Sequence, residues 1–253
     1  GPRGVGGLRP PAPPVYFVVL DRYHLGDPLF LTRFARDVLA FGRPLALVHG
    51  GGEEAERVLE AQGLLREWEG GVLQTRSADE RSLVERATRE LNRSVAHALT
   101  DAGVPAVRIE ASSRGLLRPA ESGSPGGGLV PGEIGWFHAL MRQRAVPVVA
   151  ALVRQPGGPT EQANAGAVAG TLAGTVEEGA TVVCFVRGTR GALVRGGDRL
   201  AEVALEGVPD DALPDPAVVA AAVATGASVV LTGPSGLVSE GFEATRVRTS
   251  GGG

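Results

Sequence analysis

The chain has 253 residues, 43% of them hydrophobic, a net charge of −3 and a pI near 5.9. This is enough to bury a sizeable core in one domain, or in two lobes that share one sheet. The weak negative charge gives no reason to expect nucleic acid or a membrane surface as a partner, and no apolar run approaches the roughly 20 residues of a membrane span.

The chain opens on a segment rich in glycine and proline, GPRGVGGLRPPAPP, which predicts a disordered tail over residues 1–14. VYFVVL, from Val15, then predicts a buried first strand, and the segment after it predicts a helix. The predicted apolar face of that helix carries Phe30, Phe34, Val38 and Leu39. A second apolar run, Leu45–Val48, completes the strand, helix, strand order of a parallel α/β unit.

Three consecutive glycines, Gly50–Gly52, join this second strand to the next helix. Glu53 and Glu54 suit the first turn of that helix, and apolar residues follow at helical spacing. Such a junction leaves the first N–H groups of the helix unpaired, and without a Cβ an anionic or carbonyl group can approach the backbone closely. The turn therefore predicts a small-anion site, or else only a tight reversal of the chain.

The middle of the chain alternates regular and irregular segments. Leu64–Arg76 predicts an irregular or hairpin-like segment, and Ser77–Ala102 a long helix that Gly103 ends. Ala106–Ile109 predicts a short strand. Ser112–Gly132 is rich in serine, glycine and proline and predicts either a mobile loop or a degraded β-hairpin.

Four further elements are predicted before the last third of the chain. Ile134–Arg144 predicts a helix and Val146–Leu152 a buried strand, and both have the matching apolar pattern. Gly157–Asn164 predicts a loop. The alanine-rich run Ala165–Glu178 predicts a helix whose small residues permit close packing.

The last third again alternates strands with a helix. Thr181–Val186 predicts a buried strand that contains the single cysteine, Cys184, which fits a core residue and a reducing cytoplasm. Pro216–Thr225 predicts a helix and Ser228–Leu231 a strand. Thr245–Gly253 predicts an edge strand that frays into a flexible end over residues 250–253.

Taken together, this order predicts an α/β fold, a three-layer sandwich with a mainly parallel central sheet. We expect a single domain over residues 15–249, with an N-terminal lobe over about 15–155 and a C-terminal lobe over about 156–249. A cytoplasmic location is expected.

Several short motifs occur in a familiar order. They include VHGGG at the end of a strand, Leu91-Asn92 within a helix, Val146-Pro147-Val148, and Gln162-Ala163-Asn164-Ala165 ahead of a helix. The chain thereby resembles the acetylglutamate kinase branch of the amino-acid kinase family, and it is also similar to the carrier-protein-linked aminoadipate kinases. The resemblance spans roughly Val15 to Thr249 and implies the amino-acid kinase (carbamate kinase-like) fold. That family phosphorylates carboxylates, carbamate or nucleoside monophosphates with ATP.

The chain departs from the family at its charged positions. The family uses two lysines, an aspartate that positions them, and glycine turns, whereas all 25 basic residues of this chain are arginine. Asp21 stands where the first lysine is expected, and Gly166 stands where the aspartate is expected. Leu213-Pro214-Asp215-Pro216 lacks the second lysine, and Arg187-Gly188 replaces a Thr-Asp pair. The substrate-side arginine aligns with Leu73 or Gln74.

The resemblance also assigns candidate site residues. It implies substrate binding by His49, Gly50, Gly51, Gly52 and Asn164. It implies cofactor binding by Arg187, Arg190 and Gly191, and it leaves Arg22 and Arg187 as the candidate catalytic cations.

Some of these residues have a second interpretation. His49 could hydrogen-bond a ligand or simply fix the glycine turn, and Asn164 could contact a substrate or cap a helix. Asp21 and His24 could form an acid–base or metal pair, but two residues do not make a site, so no metal site is predicted. Glu53, Glu54 and Glu56 predict a solvated helix face.

Three functional hypotheses follow. The first is a kinase-like protein that has lost phosphotransfer and acts as a small-ligand-binding or regulatory subunit in amino-acid biosynthesis. It would be a homodimer, through the helix Ser77–Ala102, or a heteromer with an active paralogue. The second is an active kinase, dependent on ATP and Mg, that phosphorylates the side-chain carboxylate of an N-acylated acidic amino acid with an arginine-based site. The third is an enzyme unrelated to phosphate that holds an acyl group at Gly50–Gly52.

Overall fold

A computed structural model describes residues 14–121, 128–187, 191–238 and 242–248 of the chain. Apart from Pro14, the predicted tail over residues 1–14 lies outside the described residues, as do the predicted flexible end over residues 250–253 and the candidate residue Arg190. The division into two lobes stays a prediction.

The regular elements alternate along most of the chain. The helices are α1 (Arg22–Leu25), α2 (Phe30–Phe41), α3 (Gly52–Ala61), α4 (Ala78–Asp101), α5 (Gly135–Arg142), α6 (Ala165–Ala173) and α7 (Pro216–Ala224). The strands are β1 (Val15–Leu20), β2 (Leu45–His49), β3 (Trp68–Glu69), β4 (Val72–Leu73), β5 (Ala106–Glu110), β6 (Leu117–Pro119), β7 (Leu129–Pro131), β8 (Val146–Ala150), β9 (Leu152–Arg154), β10 (Thr160–Gln162), β11 (Ala180–Phe185), β12 (Val194–Arg195), β13 (Asp198–Arg199), β14 (Glu202–Ala204), β15 (Ser228–Thr232) and β16 (Thr245–Arg248).

Eight strands form the central sheet, in the order β14-β16-β15-β11-β1-β2-β8-β5. Neighbouring strands are parallel except β15 and β16, which pair antiparallel. The parallel strands β1, β2, β8, β11 and β15 therefore end at one edge of the sheet, where the loops that follow them meet. The predicted three-layer α/β fold with a mainly parallel sheet is confirmed.

Both faces of the sheet are buried, because side chains alternate along each strand. On one face, Phe17 and Val48 pack with residues of α5, α6 and α7. On the other, Val18 and Leu47 pack with residues of α2 and α4. Helix α3 and β4 form a smaller cluster with α4. The two main cores pack against the two faces of the sheet and hold its carboxyl edge in place.

Most predicted elements are present with small shifts of their ends. The segment Leu64–Arg76 contains the hairpin β3–β4, and Ser112–Gly132 contains the hairpin β6–β7. Residues 122–127, between β6 and β7, lie outside the described residues. Ser77 caps α4, since its side chain accepts a hydrogen bond from the N–H of Glu80.

Other predictions were wrong. The predicted strand Val146–Leu152 divides into β8 and β9, and the predicted loop Gly157–Asn164 contains β10, which pairs antiparallel with β9. Helix α6 ends at Ala173 rather than Glu178, and Gly174 is its C-cap residue. Leu39 is exposed, since it lies about 100° around α2 from the buried Val38.

The last strand was also misplaced. Thr245–Gly253 was predicted as an edge strand, but β16 lies between β15 and β14. The short strand β14, which the sequence pattern did not predict, forms the edge instead. Among the described residues, no helix is long and apolar enough to cross a membrane.

Candidate ligand site at the carboxyl edge of the sheet

A small cavity lies where β1 and β2 end. Asp21 and Arg22 line it from the end of β1, the three glycines from the end of β2, Trp68 and Gly71 from the β3–β4 hairpin, and Asp215 from the start of α7. Its volume is about 30 Å³, which is room for about one water molecule. The β3–β4 hairpin thus closes over the site in this conformation.

The glycine turn has the geometry that the sequence predicts. Gly52 has a φ of +63°, and a Cβ there would come within 2.9 Å of Leu91 Cδ2. A Cβ on Gly51 would come within 2.6 Å of Ala55 Cβ. Among the described residues, no backbone carbonyl or side chain accepts a hydrogen bond from the N–H groups of Gly51, Gly52 or Glu53. The turn therefore presents N–H donors at the start of α3.

His49 is fully buried beside this turn. Its Nδ1 lies 2.7 Å from the Gly50 carbonyl oxygen, and its Nε2 lies 3.0 Å from Asn92 Nδ2. An amide nitrogen can only donate, so Nε2 accepts and Nδ1 carries the proton. Burial lowers the pKa of His49 to about 4, which keeps the ring neutral. Both ring nitrogens are used within the protein, and the side chain holds the turn in place.

Arg22 is part of a network of contacts that links α1, α3 and the β3–β4 hairpin. Its Nη1 lies 3.1 Å from Glu56 Oε1, and the same oxygen accepts a hydrogen bond of 2.7 Å from Trp68 Nε1. The guanidinium also stacks over the Trp68 ring, 4.2 Å from its centroid. Glu56 is 7% exposed, so its predicted place on a solvated helix face was wrong. The charge of Arg22 is thereby neutralised by a buried carboxylate.

Two further carboxylates border the cavity. Asp21 accepts hydrogen bonds from the backbone N–H of His24, at 2.8 Å, and from His24 Nδ1, at 2.7 Å. Burial raises the pKa of Asp215, and the guanidinium of Arg22 opposes that shift. Two carboxylates thus line the cavity beside a guanidinium that a third, Glu56, already neutralises, which makes the site unfavourable for the multiple negative charges of a phosphate group.

Asn164 is used entirely within the protein. Its Oδ1 accepts from the N–H groups of Gly166, at 2.8 Å, and Ala167, at 3.2 Å, which makes it the cap of α6. Its Nδ2 donates to the carbonyl of Gly70, at 2.7 Å, and to that of Ala217, at 3.3 Å. The side chain thus ties α6 to the β3–β4 turn and to α7.

The other candidate residues lie apart from the cavity. Arg187 is exposed, and its guanidinium lies 4.9 Å from the centroid of the Tyr23 ring. Gly191 is buried, and its carbonyl accepts from the N–H of Gly233 at 3.2 Å. The structure therefore brings Arg22 and the glycine turn together, but it does not bring Arg187 or Gly191 to that cavity.

Gly166 lies where two helices touch. A Cβ on this residue would come within 1.9 Å of the Val218 carbonyl oxygen and 3.1 Å of the Ala222 nitrogen. Helix α7 therefore occupies the space into which any side chain at position 166 would project.

We expect Trp68→Ala to loosen the β3–β4 hairpin, because it removes both the bond to Glu56 and the stacking on Arg22. Each contact is worth about 1 kcal/mol, so amide hydrogen exchange in β4 should become about tenfold faster or more. Exchange measured by mass spectrometry on peptides that cover Val72 and Leu73 tests this. Trp136→Phe, on α5, is the control and should leave the exchange rate of β4 unchanged. Equal exchange in Trp68→Ala and the wild-type protein would contradict the role of Trp68.

Comparison with known proteins identifies acetylglutamate kinases among the sequence relatives. No family model matches the chain. An acetylglutamate kinase of Roseiflexus sp. (strain RS-1) is 30% identical over 192 residues, which cover 72% of this chain and 71% of the relative. An acetylglutamate kinase of Chloroflexus aurantiacus is 33% identical over 190 residues, which cover 71% of this chain and 72% of the relative.

Solved structures share the fold at lower identity. An N-acetylglutamate synthase from Neisseria gonorrhoeae, complexed with coenzyme A and N-acetyl-glutamate, has a TM-score of 0.68 at 17% identity and covers 95% of this chain and 61% of its own. An isopentenyl phosphate kinase has a TM-score of 0.60 at 16% identity, over 92% of this chain and all of its own. With the sequence relatives, these similarities show that the chain belongs to the amino-acid kinase family and is acetylglutamate kinase-like.

Proposed function

We propose that this member of the family has lost phosphotransfer and acts as a small-ligand-binding or regulatory protein in amino-acid biosynthesis. The observation that supports it most directly is the charge around the cavity. Transfer of a phosphoryl group from ATP to a carboxylate brings anions together and needs positive charge around them. Here Asp21 and Asp215 line the cavity beside Arg22, whose guanidinium is already paired with Glu56.

The packing at Gly166 supports the same proposal. The resemblance places an organising aspartate at this position, but α7 fills the space that its side chain would need. The departure from the family's site therefore involves the packing of α6 against α7, and not only the replacement of one side chain.

The expected loss of rate is large. Removing one electrostatic donor from an active site typically costs about 2.7–4 kcal/mol of transition-state stabilisation, which is two to three decades in rate. Two lysines and the aspartate are missing together, and the residues at this edge do not fit the phosphates of MgATP. An arginine-based kinase remains the rival function, since Arg22 does line the cavity.

The ligand that fits the glycine turn is a small anion or an acylated amino acid. Its carboxylate or carbonyl oxygen would accept from the N–H groups of Gly51, Gly52 and Glu53. Entry requires the β3–β4 hairpin to move, because the closed cavity holds about 30 Å³. We place the protein in the cytoplasm, as a homodimer or paired with an active paralogue.

Ligand binding can be measured through Trp68, since the chain has only two tryptophans. In a Trp136→Phe background, we expect N-acetylglutamate to change Trp68 fluorescence and to raise the melting temperature. At one hundred times its dissociation constant, a ligand adds about 2.7 kcal/mol, or about 5–10 °C. MgATP and ADP should cause no shift.

A phosphotransfer assay separates the proposal from its rival. We expect no release of ADP from MgATP and N-acetylglutamate above the uncatalysed rate. ADP release that depends on N-acetylglutamate, is abolished by Arg22→Ala and survives Arg57→Ala would establish the arginine-based kinase instead. Arg57 is the matched control, since it is exposed on α3 and pairs with Glu53.

A further inference from the structure

Arg81 differs from the other arginines that the structure describes. Three of those arginines are partly buried, namely Arg22, Arg81 and Arg89. Arg22 pairs with Glu56, and Arg89 pairs with two glutamates. Arg81 has no ion pair, side-chain hydrogen bond or ring contact with any described residue. The residue is therefore partly covered, and its charge has no ionic partner among the described residues.

The Arg81 side chain lines a pocket of about 320 Å³ that lies between β4, α4 and β10. This pocket adjoins the cavity at the glycine turn, and the two share Val72 and Gln162 in their walls. Most of its lining residues are polar. Thr75 and Thr160, both in this lining, make no hydrogen bond to other described residues, so their hydroxyl groups are available to a ligand.

Two glutamates, Glu85 and Glu161, also line this pocket, and neither forms an ion pair with Arg81. Glu85, on α4, lies 2.6 Å from Arg89 Nη2 and is engaged there. Glu161, on β10, makes no ion pair with a described residue, and neither glutamate comes within 4.0 Å of the Arg81 guanidinium. Arg81, on α4, and the exposed Glu161, on β10, thus line one polar pocket with no ion pair between them.

We propose that this pocket binds a free α-amino acid with an uncharged polar side chain. Its α-carboxylate would pair with Arg81, and its ammonium group would face Glu161. The side chain would meet the hydroxyl and amide groups of Thr75, Thr160 and Gln74. A zwitterion can pair with both Arg81 and Glu161 at once, whereas an N-acylated amino acid or an inorganic anion can pair only with Arg81. The site does not depend on the glycine turn or on phosphotransfer.

Isothermal titration with L-glutamine, L-asparagine and L-serine, without nucleotide, tests the site. We expect at least one of the three to bind. Its N-acetyl derivative lacks the ammonium charge, and its C-terminal amide lacks the carboxylate, so each should bind about 10- to 100-fold more weakly. Binding of none at millimolar concentration, or equal binding of the parent and both derivatives, would overturn the proposal.

Three variants test which residue pairs with the carboxylate of the ligand and which with its ammonium group. Arg81→Gln should remove the preference for the parent over its amide, and Glu161→Gln should remove the preference over the N-acetyl form. Arg86→Gln is the matched control, because Arg86 is exposed on the same helix and does not line the pocket. If both Arg81→Gln and Glu161→Gln bind like the wild-type protein, the pocket is not a zwitterion site. Melting temperatures verify that each variant is folded.

Discussion

Gly166→Ala should destabilise the protein by about 3 kcal/mol or more, and Gly166→Asp should do so by more still. A single methyl group at this position would lie 1.9 Å from a backbone oxygen of α7. Neither helix backbone can yield cheaply, because Val168, Ala169, Val218 and Ala222 hold α6 and α7 in the main core. Overpacking of this kind costs about 1–3 kcal/mol and occasionally more. Aspartate adds the cost of a buried charge.

Urea unfolding, monitored by circular dichroism, measures the effect. A loss of about 3 kcal/mol lowers the melting temperature of a chain this long by about 6–12 °C. Gly174→Ala is the control on the same segment of chain. A Cβ at this position would be 3.5 Å from its nearest neighbour, and the φ of Gly174 is −64°, which alanine adopts without strain. We expect that variant to stay within about 1 kcal/mol of the wild-type protein. Unchanged stability of Gly166→Ala would show that α6 and α7 are separable.

The contact between Gly166 and α7 also makes a prediction about the proposed loss of phosphotransfer. If α7 excludes a side chain at position 166, restoring the aspartate cannot restore catalysis without moving a helix. Gly166→Asp should therefore stay inactive in a phosphotransfer assay even where it remains folded. ADP release by that variant above the wild-type rate would contradict the proposed role of this packing.

The second large effect is a loss of stability in acid through His49. Its pKa is about 4 in the folded protein and 6.5 as the ordinary value. Between these values the unfolded chain takes up a proton that the folded protein does not, so the free energy of unfolding falls as the pH falls from about 6.5 to 4. The difference between these two pKa values corresponds to about 3 kcal/mol of stability, which is fully present above pH 6.5.

The His49→Gln variant isolates this contribution. Urea unfolding at several pH values between 7 and 4 should give a smaller loss of stability for the variant than for the wild-type protein, by about 3 kcal/mol. The comparison of slopes is needed because other groups contribute to the pH dependence, among them Asp215, whose pKa is raised by burial. His97→Gln is the control, since that side chain is 75% exposed. Parallel pH profiles for His49→Gln and the wild-type protein would exclude the buried neutral imidazole.

The fold could be predicted because its signals are local. The apolar runs of β1, β2 and β11 and the periodic pattern of α4 each occupy a short stretch of chain, and their order alone implies a parallel sheet. Short strands such as β10 and β14 carry too few residues for a pattern. They exist because a neighbouring strand offers its hydrogen bonds, as β9 does for β10.

The site could be predicted only in part. The glycine turn was found, since three glycines between a strand and a helix have few structural uses. Of the two interpretations of Asn164, a substrate contact and a helix cap, the structure shows the helix cap. Glu56 and Trp68 were missed, because their partner Arg22 lies 34 and 46 residues away along the chain and no spacing rule relates them.

The amino-acid sequence by itself determined the class of fold, the place of the glycine turn and the absence of lysine. Each follows from composition or from residues within a few turns of one another. Only the tertiary structure decided that Arg22 is neutralised by Glu56, that α7 closes the space at Gly166, and that Arg81 and Glu161 share a pocket without touching. Those properties depend on distances between separate elements, and such distances are set by how the helices pack on the sheet.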